Sequence, residues 1–203
     1  MRWIQAFAVY VSVSLLVACA TPTTDPERLP AGSWQLDPAH ASVVWEVQHF
    51  GLSWYVGRFD TVDASLEFDP ARPDAAQLTA IIDPHSISTG DTAFDRELAE
   101  DWFRADAHPQ IRFVSQRIEI TGETEGRAYG TLYMKGQASE AVMDITFNGG
   151  LFNPLEGRNA MGFSARMEVD RRSHGIGSLP ETILGHTVRI RIEAEFLEGG
   201  EAE

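Results

Sequence analysis

Thr187-Val188-Arg189-Ile190-Arg191-Ile192-Glu193-Ala194-Glu195-Phe196 places apolar residues at every second position with charge between them. Successive strand side chains point to opposite faces, so Val188, Ile190, Ile192, Ala194 and Phe196 form one apolar face. Arg189, Arg191, Glu193 and Glu195 form a solvated one. This is a half-buried strand of the kind antiparallel sheets use. The same period recurs upstream. In 41–50, Val43, Trp45, Val47 and His49 share a face opposite Ser42, Val44, Glu46 and Gln48; in 59–68, Ala64, Leu66 and Phe68 oppose Ser65 and Glu67. Leu78, Ala80 and Ile82 alternate within 77–83, and 111–120, 129–134, 142–147 and 161–169 are also strand-like, as is a short first strand at 34–36. Eight or nine strands follow, separated by turn-rich pieces such as Asp69-Pro70-Ala71-Arg72-Pro73-Asp74. One segment departs from the period. Residues 92–104 space Phe94, Leu98 and Phe103 near helical intervals, with Asp91 or Thr92 as cap and Pro109 beyond, which predicts a single helix. Sequential strands with short connections predict an antiparallel sheet, and eight is the number at which a barrel closes around side chains or one small ligand; periodicity alone leaves a sandwich open.

The chain has 203 residues, which suits one domain of ordinary size. Its formal charge is −14, and no Lys/Arg-rich stretch offers the counterion-releasing surface that nucleic acid requires, so nucleic acid is excluded as a partner. The one cysteine, Cys19, excludes an internal disulfide or a multi-Cys zinc site. It ends the first strong signal in the chain. Residues 1–18 carry a single charge, Arg2, then an apolar run, in the layout of a secretory signal. Leu16-Val17-Ala18-Cys19 resembles a bacterial lipobox, which implies cleavage before Cys19 and acylation of the new N-terminus. The competing reading is an uncleaved single-span anchor. Ala20, rather than Asp, implies sorting to the outer membrane in a Gram-negative envelope, with the protein facing the periplasm. The expected organisation is a signal over 1–18, a lipidated Cys19 with an extended, Pro-rich tether through residue 32, a folded domain over 33–197 and an acidic tail at 198–203.

Read in order, several motifs carry a family resemblance. Trp34-Gln35-Leu36-Asp37-Pro38-Ala39-His40, Val47-Gln48-His49-Phe50 and Gly57-Arg58-Phe59 resemble the opening of the YceI-like family. Ile82-Asp83-Pro84-His85-Ser86-Ile87-Ser88-Thr89-Gly90, Asp101-Trp102-Phe103, His108-Pro109-Gln110-Ile111, Gly130 through Gly136, and Gly162-Phe163 through Arg171 and Gly177 continue the series. The ordered set spans about residues 34–197. The resemblance implies an all-β fold, an extended antiparallel eight-stranded lipocalin-like β-barrel with one short helix, holding a polyisoprenoid, isoprenoid quinone or similar long amphiphile. It also implies carriage or storage of that lipid in the periplasm or cell envelope. The family further suggests a membrane-surface accessory role, beside a respiratory membrane cytochrome or in the envelope stress response. His174 stands before Gly175 where the family has an aromatic residue, which puts a polar ring where a hydrophobic lid is expected.

The expected tube wall consists of Val43, Trp45, Val47, Leu66, Phe68, Ile82, Phe113, Leu132, Met134 and Phe163; the alternative is that these side chains fill a closed core. His49, on the face of Val43 and Trp45, either donates to a ligand oxygen or is a core histidine bonded to a backbone carbonyl. Arg171 either meets an anionic headgroup or pairs with Asp37 or another rim carboxylate. Catalysis has little support. The six His are scattered without an HExxH or a Cys partner, and there is no Gly-x-Ser-x-Gly elbow, so no metal, no cofactor beyond a bound lipid and no catalytic residue is expected; a His49-dependent enzyme is the weaker alternative.

Overall fold

The computed structural model describes residues 21–199. Ten strands run β1 Gly32–His49, β2 Ser53–Phe59, β3 Val62–Phe68, β4 Gln77–Ile82, β5 Ile87–Ser88, β6 Ile111–Ile120, β7 Glu125–Met134, β8 Gln137–Asn153, β9 Arg158–Asp170 and β10 Leu184–Glu198. All pairings are antiparallel, and β10 pairs β1 from Trp34↔Glu198 to His49↔Leu184, closing the sheet. β2 and β3 both pair with β1 and form one bent stave, so the barrel has eight staves. Closure removes the free edges that a sandwich of these strands would have to protect.

Two expectations of strand boundaries change. The short strand at 34–36 and the strand at 41–50 are one element, β1, interrupted between Leu36 and Ala41 by a register shift against β10. The shift explains why Trp34 and Leu36 point inward at even positions while Val43, Trp45 and Val47 do so at odd ones: extra residues in one strand flip the face that follows. β2 was not anticipated as a strand. Trp54 and Val56 make its outer face largely apolar, leaving Arg58 as the one charge for the alternation to reveal.

The barrel has two different ends. The β1–β2, β7–β8 and β9–β10 connections and the helical segment lie at one end; chain position Gly32 and the β3–β4, β6–β7 and β8–β9 connections lie at the other. At the first end β2 and β4 diverge, and a short helix, α1 (Thr92–Glu97), continued by a π-helical turn at Leu98–Phe103, fills the gap. Asp91 caps it as expected, accepting from the Ala93 and Phe94 amides. Arg104, in the left-handed region (φ 52°), ends it. Its aromatic side chains meet the barrel edge to face, Phe94 on Tyr55 and Phe103 on Phe59, both at 5.8 Å between ring centres.

Several wall aromatics lie over glycines. A Cβ on Gly57 would sit 2.2 Å from the Trp45 ring, and one on Gly130 2.7 Å from that of Phe113. The missing side chain on one strand makes room for the large ring of the next. Gly57→Val is therefore expected to displace Trp45 and destabilise the barrel by about 1–3 kcal/mol, the range for overpacking a core, and a denaturant midpoint equal to that of the native chain would contradict this seating.

The stretch before β1, expected as an extended tether, is held against the barrel. Thr23 and Gly150 exchange both backbone hydrogen bonds, at 2.8 and 2.9 Å. This happens where β7 has ended, its last partner on β8 being Thr146, so Thr23 covers an edge of β8 that would otherwise be open. Asp25 caps a 3₁₀ turn at Pro26–Arg28, and Leu29, 5 % exposed, packs with Trp34, Leu36, Met161 and Phe196. Composition did not reveal this because Leu29 is a single apolar residue in a polar, Pro-rich run. The signal and lipobox expected over 1–19, and the last four residues of the acidic tail, lie outside the described residues.

Candidate functional site

The barrel encloses a cavity of about 390 Å³, within the range of small-molecule sites. Apolar side chains line almost all of it. Val43, Trp45, Val47, Leu66, Phe68, Ile82, Phe113, Leu132, Met134 and Phe163 all border it, so they surround a space rather than a filled core. Sequence reasoning missed other wall residues: Tyr55 on the unanticipated β2, Met143 and Ile145 on β8, Met167 on β9, and Phe94 and Trp102 from the helical segment. The alternation of β8 and β9 marked the strand residues as inward. The helical aromatics carried no comparable signal, because a single helix's apolar face does not say what it faces.

One end of the tube is shut by the helical segment together with Ile176, Leu184 and Arg171. The other opens past Pro26, Phe68, Pro73, Ile120 and the turn Gly122–Glu125. Pro26 belongs to the N-terminal segment, so that segment forms part of the rim.

His49 is not part of this site. It is exposed at the β1–β2 hairpin, beyond the end of the tube, with its ring 4.7 Å from that of Phe50 in an edge-on arrangement. Period two identifies the face a residue occupies but not where the tube stops, and the turn at Phe50-Gly51, both with positive φ, ends it one residue later. Both readings offered for His49, ligand donor and core histidine, are therefore replaced by a surface position.

Arg171 borders the shut end but neither expectation for it holds. Arg171 is 3 % exposed, and its guanidinium donates all five N–H groups to backbone carbonyls: Nε to Gly185 (2.9 Å), Nη1 to Ile176 (3.0 Å) and Gly177 (2.8 Å), Nη2 to Leu179 (2.6 Å) and Leu184 (2.9 Å). No carboxylate pairs with it among the described residues, and Asp37 is instead bonded to His40 at 2.7 Å. A guanidinium with every donor occupied has none left for a headgroup. Its role is to tie the 176–185 loop across the end of the barrel.

His174 is also buried, 1 % exposed, but off the tube. Nδ1 lies 3.3 Å from the Met134 carbonyl, to which it donates, and Nε2 lies 2.8 Å from the Ser139 hydroxyl, which it accepts. That pairing suits the neutral ring, and burial holds its pKa below the ordinary histidine value. A depressed histidine pKa gives stability that is present above about pH 6.5 and lost as pH falls through the folded value. His40 and His85 are shifted upward by Asp37 and Asp106 respectively and titrate with the opposite sign. The clean readout is thus a difference: between pH 7 and 5, melting temperature should fall further for the native chain than for His174→Gln, and parallel curves would contradict the assignment.

The remaining charged groups bordering the tube are Glu123, Glu125 and Glu193, the first two at the open end. Among the described residues no cluster of three or more His, Cys, Asp or Glu is placed to hold a metal ion, and no helix is long and apolar enough to cross a membrane.

A closed eight-staved barrel around an apolar tube, plugged by one short helix, is the architecture to which the family comparison can be put. The model of the YceI-like domain matches residues 34–196. The chain belongs to the YceI-like family. A UPF0312 protein of Staphylococcus aureus (strain MRSA252) is 32 % identical over 170 residues, covering 81 % of this chain and 96 % of that protein. Among solved YceI-like folds, a Campylobacter jejuni YCEI protein is 26 % identical with a TM-score of 0.67, over 75 % of this chain and 90 % of the other. Burkholderia cenocepacia BcnA shares the fold at a TM-score of 0.70 and 24 % identity, over 79 % and 98 %. So does a polyisoprenoid binding domain from Saccharophagus degradans implicated in plant cell wall breakdown, at 0.62 and 12 %, over 84 % and 100 %. The YceI-like match begins at Trp34, so the docked segment from Thr23 to Leu29 is a feature of this chain outside the matched domain.

Proposed function

We infer that this YceI-like protein binds one long-chain amphiphile of the isoprenoid class, tail inward and head at the open end, and carries or stores it in the cell envelope. The observation that carries this reading is the tube itself: about 390 Å³ walled by apolar side chains and shut at one end. Each methylene leaving water contributes roughly 0.8 kcal/mol, so such a space holds a chain without any strong polar contact, although ordering the chain offsets part of the gain. The polyisoprenoid binding of the Saccharophagus domain supports the choice of ligand class. Binding rather than catalysis is the reading this lining supports: its walls are apolar, and among the described residues its charged groups are the saturated Arg171 and three glutamates, with no histidine or cysteine beside the Ser42, Tyr55 and Thr124 hydroxyls.

The open end favours a neutral head. Glu123 and Glu125 border it, with no cation beside them among the lining residues, and a phosphate would meet like charge there. A quinone or an alcohol avoids that repulsion.

Native mass spectrometry of the full chain, extracted gently from the envelope, is expected to show one added mass per protein, in the range of a neutral isoprenoid. Titration with a prenol and with its phosphate should then give tighter binding of the prenol by about tenfold. A barrel recovered without ligand that also takes up neither compound would overturn the reading; tighter binding of the phosphate would overturn the neutral head. Acylation at Cys19 and outer-membrane location remain part of the same proposal, supported by Leu16-Val17-Ala18-Cys19-Ala20.

A further inference from the structure

Three apolar side chains stand out in solvent near the open end of the tube. Leu155 is 92 % exposed at the tip of the β8–β9 hairpin, Phe152 is 57 % exposed beside it, and Ile120 is 51 % exposed on the mouth itself. The hairpin runs on past β7, since β8 continues for seven residues after its last pair with that strand, while β10 stays paired with β9 as far as Ala160. Among the described residues nothing of this chain covers these large apolar side chains.

The N-terminal segment decides what covers them. Thr23 is fixed to Gly150 on the same hairpin, and the glycines there are a slot for it: a Cβ on Gly149 would lie 2.9 Å from the Thr23 carbonyl oxygen, and one on Gly150 2.7 Å from the Leu29 side chain. Cys19 precedes Thr23 by four residues, which span at most about 14 Å. The strands separate the two barrel ends by far more. The 15 residues of β10 run about 50 Å, and at ordinary barrel tilt the ends are more than about 30 Å apart. An acyl group on Cys19 therefore reaches a bilayer beside the mouth and cannot reach one at the shut end.

We propose that the open end of the barrel docks on the lipid surface, with Leu155, Phe152 and Ile120 entering the interface and the mouth facing the bilayer, so that ligand passes between membrane and tube without crossing water. This rests on the lipid-binding reading and on acylation of Cys19. The fixed Thr23 makes the N-terminus an orienting device as well as an anchor. At the β6–β7 and β8–β9 turns, Glu123, Glu125 and Glu156 outnumber the exposed Arg158, which disfavours an anionic surface, so the docking surface is a zwitterionic one. A second group of exposed apolar residues, Phe50, Leu52 and Trp54, lies at the shut end and remains in solvent in this orientation.

The test uses the acylated full chain on phosphatidylcholine vesicles containing doxyl-labelled lipid. With Cys19 acylated, an introduced cysteine is the sole free thiol, so a fluorophore can be placed at Leu155→Cys or at Leu52→Cys. Quenching at position 155 is expected to exceed that at position 52 at least threefold. Equal or reversed quenching overturns the proposal, as does a mature chain that lacks acylation or fails to float with the vesicles. A second readout follows transfer of retinol, a fluorescent neutral isoprenoid alcohol, from vesicles to the barrel. The double variant Phe152→Glu, Leu155→Glu changes only exposed side chains and is expected to slow that transfer about tenfold while leaving the affinity for retinol delivered from detergent unchanged. Unchanged transfer counts against docking. If the native chain takes up no retinol from detergent, the lipid-binding reading fails for this probe, and the quenching pattern, which needs no ligand, still decides the orientation.

Discussion

Replacing Arg171 with methionine is expected to destabilise the protein by about 3–5 kcal/mol, lowering its melting temperature by roughly 10 °C or more. The variant keeps most of the aliphatic stem and removes the fork that serves five carbonyls, those of Ile176, Gly177, Leu179, Leu184 and Gly185. Buried acceptors left without a donor lose about 1 kcal/mol or more each, and the 176–185 loop has few strand hydrogen bonds of its own to replace them. Arg171→Lys should recover only a small part, since one ammonium cannot reach the five acceptors that a planar guanidinium meets at once. Because the loop closes the end of the tube, loss of bound ligand is expected to accompany loss of stability in both variants. The alternative role, contact with an anionic headgroup, makes a different forecast: altered ligand preference at unchanged melting temperature. Calorimetry of the two variants separates them, and a shift below about 2 °C would remove the structural role.

The second large effect is expected from filling the tube without disturbing its frame. Ala165 on β9 faces inward between Ile192 on β10 and Ile145 on β8 and borders the cavity. Ala165→Trp places an indole in the space that the proposed ligand chain would occupy. Displacing about four methylenes removes roughly 3 kcal/mol of transfer free energy, which weakens binding about a hundredfold or more. The indole enters existing space, so the melting temperature in the absence of ligand should change little, or rise through added packing. Mass spectrometry of the variant from cells should show the bare chain. Retention of the native ligand at native affinity would mean that the chain binds elsewhere.

Much of the barrel was legible because strand physics is local. Val188 to Phe196, Val43 to Val47 and Ala64 to Phe68 announce their inward faces by period two, and those faces border the tube. The helix was legible from Phe94, Leu98 and Phe103 and from its Asp91 cap. Continuity was harder to read. Asp37 to His40, a polar interruption, looked like a break between two strands, yet β10 pairs across it and keeps β1 whole. β2 was illegible for the opposite reason, since Trp54 and Val56 leave its outer face apolar where alternation requires a polar one.

Site residues divide along the same line. Trp45 and His49 occupy the same face of β1, but only Trp45 lies within the span of the tube; the difference is set by where the hairpin turns and the helix plugs, both long-range facts. Arg171 looked like a headgroup ligand or a salt-bridge partner because sequence shows its charge and not its neighbours. The carbonyls that hold it come from a loop whose path only the closed fold determines.

The amino-acid sequence by itself determined the class of this protein: antiparallel strands with one apolar face each, one helix, an acidic exterior, and a lone cysteine set in a lipobox-like stretch ahead of the folded domain. Periodicity, capping and composition act over a few residues, so they are written directly in the chain. Tertiary structure alone decided that the apolar faces surround a space, that Arg171 ties a loop instead of meeting a ligand, and that Thr23 fastens the N-terminus beside the mouth. Each of these depends on residues far apart in sequence being brought to within hydrogen-bond or van der Waals distance, which closure of the sheet by β10 on β1 accomplishes.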